Sequence, residues 1–351
     1  MSDHPGVHLI GSVALPDAET VFRTVAGELG PWLRRIPDGE TGKRHRWIYW
    51  QYEMLMKHPE LEIDPTIEPM PLPQWDGVLI RTIEQVRFKP GVDPAKVVFD
   101  TGYAPAAIES YATFRRLRDA GLIPRDVRFL VALPTAMASG FMYVSPKALA
   151  DYIPVYERGL FKAVDDILAA IPHADLSIQW DICQEVLVFE HYFQHQPPDY
   201  KAQIFAEFAR LAARVPDDVE LGYHLCYGSP RDEHLVMPKD TAILAEMTRG
   251  LTAAIRRRLD FLHLPVPQDR TDEAYFAPLK TLQLPPETTL YLGLIHHDDA
   301  AGDQTRIAAA KKVAPRFGLA SECGWGRTDP ARVPGLIAAH RRAAESVAAR
   351  P

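Results

Sequence analysis

Eight short apolar runs alternate along the chain with longer stretches of helical period, and this alternation constrains the fold more than any other feature. The runs begin at Val7, Leu33, Val127, Leu176, Glu220, Leu259, Thr288 and Phe317. Most of the stretches between them open with Pro or Asp and close with Gly or Pro, as helices commonly do. Eight strands with intervening helices predict a (β/α)8 TIM barrel rather than an open doubly wound sheet.

One segment, residues 52–124, is too long to be a single crossover helix. It contains the proline-rich stretch IEPMPLPQW and a further apolar run, AKVVFDTGY. We therefore predict an insertion after the second strand that packs over one end of the barrel. Because a barrel can reach this length as one unit, residues 1–351 are predicted to form a single domain.

Composition argues against several classes of function. The chain is 47% hydrophobic and 24% charged, which is typical of a soluble globular protein with a large core. Its formal net charge of -7 argues against binding to nucleic acid or to a membrane surface. Three cysteines are too few for a disulfide framework, and the first residues, MSDHPGVHLIGS, lack a signal-peptide pattern. We expect a cytoplasmic protein whose reduced thiols are core residues, nucleophiles or metal ligands.

Polar residues follow several of the predicted strands at their C-terminal ends, where barrel active sites form. They are Asp38 and Glu40 after the second strand, Asp181 after the fourth, His224 and Cys226 after the fifth, His297 and Asp298 after the seventh, and Cys323 after the eighth. The barrel prediction therefore places all of them on one rim.

The pair His224 and Cys226 lies on one face of a strand, because alternate side chains point the same way. The end of the eighth strand brings Cys323 to the same mouth. One imidazole and two thiolates suit Zn²⁺, and three protein ligands with an open position are typical of a catalytic site. Such a site can hold a substrate thiol as a thiolate, or it can activate water. The other interpretation is three buried core residues.

The order of the motifs resembles the catalytic C-terminal barrel of cobalamin-independent methionine synthase, in the uroporphyrinogen decarboxylase-like superfamily. The similar segments are LIGSVALP, DGETGKRHRW, SIQWDICQE, YHLCYGS and ASECGWGR. The resemblance covers nearly the whole chain. It implies a zinc-dependent methyltransferase of methionine biosynthesis that activates a thiol such as homocysteine as a zinc thiolate.

The resemblance also implies where the amino-acid substrate binds. Ile10, Gly11 and Ser12 would lie beside this substrate. Glu40 and Asp181 would be the partners of its ammonium group.

For the metal and the chemistry, the resemblance implies that His224, Cys226 and Cys323 bind Zn²⁺. A histidine after the seventh strand would protonate the leaving amine, and a general acid with a pKa near neutral suits that task. His297 and Asp298 are the nearest matches in GLIHHDDAAGD. An aspartate-rich helix cap is the alternative interpretation of this segment.

Two departures from the family pattern leave alternatives open. Pro265 stands where the family has a glutamate ligand, so either His263, two residues earlier, takes its place or the site has three protein ligands. Similar corrinoid-dependent methyltransferases also use a His-x-Cys and Cys zinc set.

In place of the tryptophan expected beside a folate, the chain has Gly140 and Phe141. The methyl donor is therefore a folate, a corrinoid or a small sulfonium or amine compound.

Two other classes of function remain as alternatives. One is a metal-free lyase or decarboxylase of the same barrel superfamily. The other is a barrel that binds a ligand without catalysis.

Overall fold

The computed structural model describes residues 6–348. Its strands are β1 (Arg35–Pro37), β2 (Leu61–Ile63), β3 (Met70–Pro73), β4 (Leu79–Ile83), β5 (Val86–Phe88), β6 (Arg128–Pro134), β7 (Leu176–Ile182), β8 (Glu220–Leu225), β9 (Phe261–Pro265), β10 (Thr289–Gly293) and β11 (Gly318–Leu319). Its α-helices are α1 (Ala18–Leu29), α2 (Tyr49–Met56), α3 (Tyr103–Asp119), α4 (Ala136–Tyr143), α5 (Leu149–Ala170), α6 (Gln184–Phe189), α7 (Tyr200–Ala213), α8 (Ala242–Ala254), α9 (Glu273–Phe276), α10 (Ala300–Lys311) and α11 (Val333–Ala348).

Seven strands form one parallel sheet in the order β1, β6, β7, β8, β9, β10, β11. Each of these strands lies within one of the predicted apolar runs. Helices follow most of the strands and cover the outer face of the sheet, so both faces of a strand are buried. All seven residues of β7 are buried, which explains why its sequence, LSIQWDI, is nearly continuously apolar.

The first predicted strand, from Val7, forms isolated bridges rather than a continuous strand. Val7 pairs with Leu33 on one edge of the sheet and with Leu319 on the other. Further along, Ser12 pairs with Gly39, and Val13 pairs with Trp325, which lies beyond β11. Residues 7–13 therefore occupy the eighth position and close the curled sheet. The predicted α/β barrel class is confirmed.

An ion pair between a buried arginine and a half-buried glutamate lies inside the barrel at the N-terminal ends of the strands. The Nε of Arg35 is 2.9 Å from Oε2 of Glu220, and the guanidinium lies 3.9 Å from the centre of the Phe261 ring. A buried guanidinium is costly unless it is paired and hydrogen-bonded, and these contacts satisfy that requirement.

The segment 52–124 combines two small antiparallel sheets with a barrel helix. β2 pairs with β5, and β3 pairs with β4 to form a hairpin. This β3–β4 hairpin lies over the C-terminal end of the barrel, because the hydroxyl of Tyr192 donates to Pro73 O and Gln74 donates to Glu233. Helix α3 packs on α1, α5 and β6, as a crossover helix does. The boundaries 52 and 124 remain predictions.

No helix within residues 6–348 combines the length and the apolar character needed to cross a bilayer.

The turn that follows β1 contains Gly39, and substitution of this residue tests how tightly the turn is packed. Its φ is +78°, and a Cβ there would lie 2.6 Å from Cγ2 of Val21. Gly42 has a similar φ of +67° but open space around it. Gly42→Ala should cost about 1 kcal/mol of unfolding free energy from the left-handed backbone alone. Gly39→Ala should cost roughly 3 kcal/mol or more, because the collision is added.

Chemical denaturation of both variants measures the difference. Equal losses for the two alanines would show that Val21 yields and that the turn is not tightly packed.

Candidate metal centre and substrate cavity

Three metal-ligating atoms meet at the C-terminal end of the barrel. The Nε2 of His224 and the Sγ atoms of Cys226 and Cys323 all lie within 4.8 Å of one another, and we call these three residues the donor cluster. The two Sγ atoms are 3.5 Å apart, and Cys323 Sγ is 3.9 Å from His224 Nε2. Two thiolates on one tetrahedral Zn²⁺ are roughly 3.8 Å apart, from Zn–S bonds of about 2.3 Å. The donor types and their spacing therefore fit Zn²⁺.

The parallel sheet fixes two of these donors. His224 lies near the end of β8, in register with Asp181 of β7 and His263 of β9. The backbone N–H of Cys226 donates to Ile182 O at 2.9 Å, which continues the ladder past the end of β8. The alternation of side chains then places the imidazole and the thiol on the same face, as the sequence predicted.

His263, the sequence candidate for a fourth ligand, lies behind the donor cluster rather than in it. Its Nε2 is 3.0 Å from Ser321 O, and its Nδ1 is 2.7 Å from Nδ1 of His224. Because a carbonyl can only accept, His263 Nε2 carries a proton and its Nδ1 is left to accept from His224. Burial lowers the pKa of His263 to about 3, so the ring is neutral. This arrangement leaves Nε2 of His224 unprotonated and facing the thiols, as a metal ligand requires.

A half-buried arginine contacts the donor cluster and was not foreseen from the sequence. Arg327 donates from Nη2 to Cys323 Sγ at 3.1 Å, from Nη1 to Ser12 Oγ at 3.0 Å, and from Nε to Ser229 O at 2.9 Å. The contact with Cys226 and burial raise the pKa of Cys323, and the positive charge of Arg327 opposes that rise. Arg327 therefore places a fixed cation where thiolate charge would develop.

The third cysteine, Cys183, lies beside the donor cluster without belonging to it. Its thiol contacts Cys226, and this contact is the main reason why the pKa of Cys226 is raised well above the ordinary value. Cys183 also lines the cavity above the cluster. The three cysteines of the chain thus converge at the end of the barrel.

This cavity, which we call the first cavity, has a volume of about 100 Å³ and contains most of the predicted site residues. Its inner end is lined by the donor cluster together with Ile10, Gly11, Ser12, Glu40, Asp181 and Arg327. Its outer part is lined mainly by Trp47, Ile48, Leu72, Met142, Tyr143, Arg46 and Arg81. The structure therefore brings the predicted metal ligands and the predicted substrate-binding residues into one cavity.

Two carboxyl groups border the inner end of the first cavity. Asp181 accepts from Gln179 Nε2 at 2.8 Å and from Trp47 Nε1 at 3.1 Å, while burial and the nearby Glu40 raise its pKa well above the ordinary range. Burial raises the pKa of Glu40 to about 7, against the opposing charge of Arg44. Buried carboxyl groups with shifted pKa values, facing a cavity, are typical of ligand-binding or catalytic sites.

The backbone around Glu40 is specialised for this position. Glu40 has a φ of +47°, in the left-handed region that residues other than glycine rarely adopt. Its N–H donates to Oδ1 of Asp38 at 2.8 Å. A Cβ on Gly11 would lie 2.7 Å from Oε1 of Glu40, so a larger residue here would require the carboxylate to move. This close approach is a physical reason for the Gly of the LIGSVALP segment.

The two sequence candidates for proton transfer lie outside the first cavity. His297 lines a second cavity of about 250 Å³, which meets the first at Ser229, Cys323 and Gly324. Asp298 lines neither cavity; its side chain is 83% exposed and lies 3.2 Å from Nδ1 of His297. A left-handed turn with a φ of +53° directs this carboxylate to solvent. The structure therefore does not bring Asp298 to the donor cluster.

Glu322, which lines the second cavity, pairs with a buried histidine, and the sequence did not reveal this pair. Nε2 of His234 lies 2.7 Å from Oε2 of Glu322. Although burial opposes it, the imidazolium of His234 lowers the pKa of Glu322 to about 2. The sequence offered one indication of this residue, because Glu322 immediately precedes the predicted metal ligand Cys323.

The shifted pKa of Glu40 predicts a dependence of stability on pH. Glu40 ionises near pH 7 when folded and near 4.5 otherwise, so its ionisation destabilises the folded state as the pH rises through this window. Glu40→Gln cannot ionise. Its unfolding free energy, minus that of the wild type, should grow by about 2 kcal/mol between pH 5 and pH 8.

Denaturation at both pH values checks this, with Glu53→Gln at an exposed position of α2 as the control for loss of one glutamate. A difference that stays constant with pH would contradict the assignment.

No protein-family model matches the sequence, and no curated protein matches it. Solved structures do match. A protein from Listeria monocytogenes assigned as a vitamin-B12-independent methionine synthase is 13% identical, with a TM-score of 0.57 over 99% of this chain and 97% of its own. A B12-independent methionine synthase from Shewanella sp. W3-18-1, solved in complex with selenomethionine, is 14% identical, with a TM-score of 0.60 over 98% and 97%. Over nearly its whole length, the chain has the fold of these methionine synthases.

Proposed function

We propose that the protein is a zinc-dependent, methionine synthase-like methyltransferase that methylates a thiol such as homocysteine. One observation carries the proposal: the donor cluster lies in the same small cavity as two buried carboxyl groups, those of Glu40 and Asp181. A compound with a thiol at one end and an ammonium group at the other fits this combination of groups. The shared fold of the two methionine synthases supports the same reaction class.

In this proposal, His224, Cys226 and Cys323 hold the metal. Zn²⁺ bound there supplies Lewis acidity that lowers the pKa of a substrate thiol and favours its thiolate at neutral pH. His263 fixes the orientation and tautomer of His224 through the 2.7 Å contact between their Nδ1 atoms. Arg327, within 3.1 Å of Cys323, stabilises negative charge on sulfur at the cluster.

The amino-acid end of the acceptor binds across the cavity. Glu40 and Asp181 pair with its ammonium group, and that positive charge favours the ionised form of both carboxyl groups. Gly11 gives the ammonium group access to Glu40, while Ile10 and Ser12 form the adjoining wall. The selenomethionine complex of the Shewanella protein shows that a protein of this fold binds an amino acid of this kind.

In the transfer itself, the substrate sulfur forms a bond to the methyl carbon while the bond from that carbon to the donor breaks. The donor's leaving atom keeps the electron pair and accepts a proton when it is an amine. Of the two sequence candidates for this proton, we assign His297, because it borders a cavity that reaches Cys323. Asp298 is exposed and borders neither cavity.

Metal analysis of cysteine variants tests the proposed ligands. Wild-type protein purified without chelator should contain one Zn²⁺ per chain. Cys226→Ser and Cys323→Ser should each remove it, because two protein ligands hold Zn²⁺ poorly. Cys183→Ser is the matched control and should retain zinc, since its thiol lies beside the cluster but outside it.

Circular dichroism of each variant separates loss of zinc from loss of folding. Wild-type protein that is folded and metal-free would overturn the proposal and favour a metal-free lyase of the same fold. An increase in zinc–sulfur coordination when homocysteine is added, measured by X-ray absorption, would support thiol activation.

A His263→Gln variant separates a supporting role for this residue from ligation. If His263 only orients His224, the variant should bind zinc about 10- to 100-fold more weakly at unchanged stoichiometry. Competition with a chelator of known affinity measures the change. Complete loss of zinc from the folded variant would instead show that His263 is a ligand.

A further inference from the structure

Two guanidinium groups border the outer end of the first cavity. Arg46 lies in the loop before α2, and Arg81 lies on β4 of the hairpin. Arg46 is exposed and Arg81 is half-buried, whereas His224 and Asp181 at the inner end are buried. The arginines therefore mark the side on which the first cavity opens to solvent.

The two arginines converge on one aromatic ring. The Cζ of Arg81 is 4.9 Å from the centre of the Tyr49 ring, and that of Arg46 is 5.9 Å from the same centre. Tyr143 also lines the cavity. Burial raises the pKa of Tyr143, and the positive charge of the nearby Arg81 opposes this rise. Both guanidinium groups thus lie against one ring and line the same cavity.

Within residues 6–348, neither arginine forms an ion pair with a carboxylate. The neighbouring Arg44 and Arg87 differ, because Arg44 pairs with Asp38 at 2.6 Å and Arg87 pairs with Glu62 at 2.8 Å. Glu84 is on the same segment as Arg81 but is not within ion-pair distance of it. Two guanidinium groups that line one opening without a carboxylate partner attract an anion, and a guanidinium matches a carboxylate with two parallel hydrogen bonds.

Between these arginines and the donor cluster, the wall of the first cavity is largely apolar. Ile48, Leu72, Met142 and the ring of Tyr143 line this part. A ligand that reaches from the opening towards the cluster therefore needs an apolar portion next to its charged group.

We propose that the opening of the first cavity binds a carboxylic acid, with the carboxylate on Arg81 and Arg46 and the adjoining apolar portion against Leu72 and Tyr143. The binding site stands on the arginines alone. We assign this carboxylic acid to the methyl donor, and that assignment rests on the proposed function. The same charges disfavour a sulfonium or an ammonium compound as the donor, because both would approach two uncompensated cations.

Three probes of one skeleton test the proposal: 3-phenylpropanoate, 3-phenylpropanamide and 3-phenylpropylammonium. Their dissociation constants are measured on the full chain, as purified, by calorimetry and ligand-observed NMR. The wild type should bind the acid at least about tenfold more tightly than the amide, and the ammonium compound most weakly. Arg81→Gln, Arg46→Gln and the double variant should lose this preference progressively. Arg115→Gln, at an exposed position of α3, is the matched control and should keep it.

Equal binding of the acid and the amide to the wild type would overturn the proposal. An acid preference unchanged in the double variant would also overturn it, because the anion would then bind elsewhere. Zinc content, measured on the same samples, separates this inference from the proposed function. Metal-free protein that still prefers the acid would support the carboxylate site while overturning the methyltransferase. Zinc-containing protein without the preference would overturn only the carboxylate site.

Discussion

Closure of the barrel by residues 7–13 determines which parts of this chain can meet. Val7 N–H donates to Trp32 O and His8 N–H donates to Leu319 O, both at 2.9 Å, so one short segment joins the two edges of the sheet. At its other end, the Oγ of Ser12 accepts from Gly326 N–H, 314 positions away. The candidate site depends on this closure, because it draws groups from the start, the middle and the end of the chain.

Polar side chains inside the barrel connect this closing segment to the site. Gln179 donates to the backbone oxygen of Ile10 at 2.7 Å and to Asp181 at 2.8 Å, and it accepts from His8 at 2.8 Å. One amide therefore positions the segment and a cavity carboxylate together. In the same way, His263 joins the backbone oxygen of Ser321 to His224 and so positions a residue of the donor cluster. Because each buried partner is satisfied by the next, displacing one of them would leave others unpaired, which is costly in a low-dielectric interior.

The sequence predicted the barrel and the donor cluster because both follow from periodicity: buried parallel strands are apolar runs, and their ends meet at one rim. It did not predict groups whose role depends on depth or direction. The spacing of His263 predicted which face of the strand it lies on, but not that it lies behind His224. The position of Asp298 after a strand did not show that its turn directs the side chain to solvent. Arg327 and Glu322 belong to irregular loops, where no periodicity indicates which way a side chain points. The uncompensated charge of Arg81 depends on which carboxylates are absent around it, and a linear sequence does not contain that information.

The sulfur of Cys323 lies in a partition between two compartments of opposite character. In the first cavity the wall beyond the two carboxyl groups is largely apolar as far as the opening, whereas the wall of the second cavity contains histidines, carboxylates and an amide. The two cavities therefore reach the proposed metal ligand from different directions. In the proposed reaction, this separation would let protons move through the polar second cavity while the substrate thiol enters through the first.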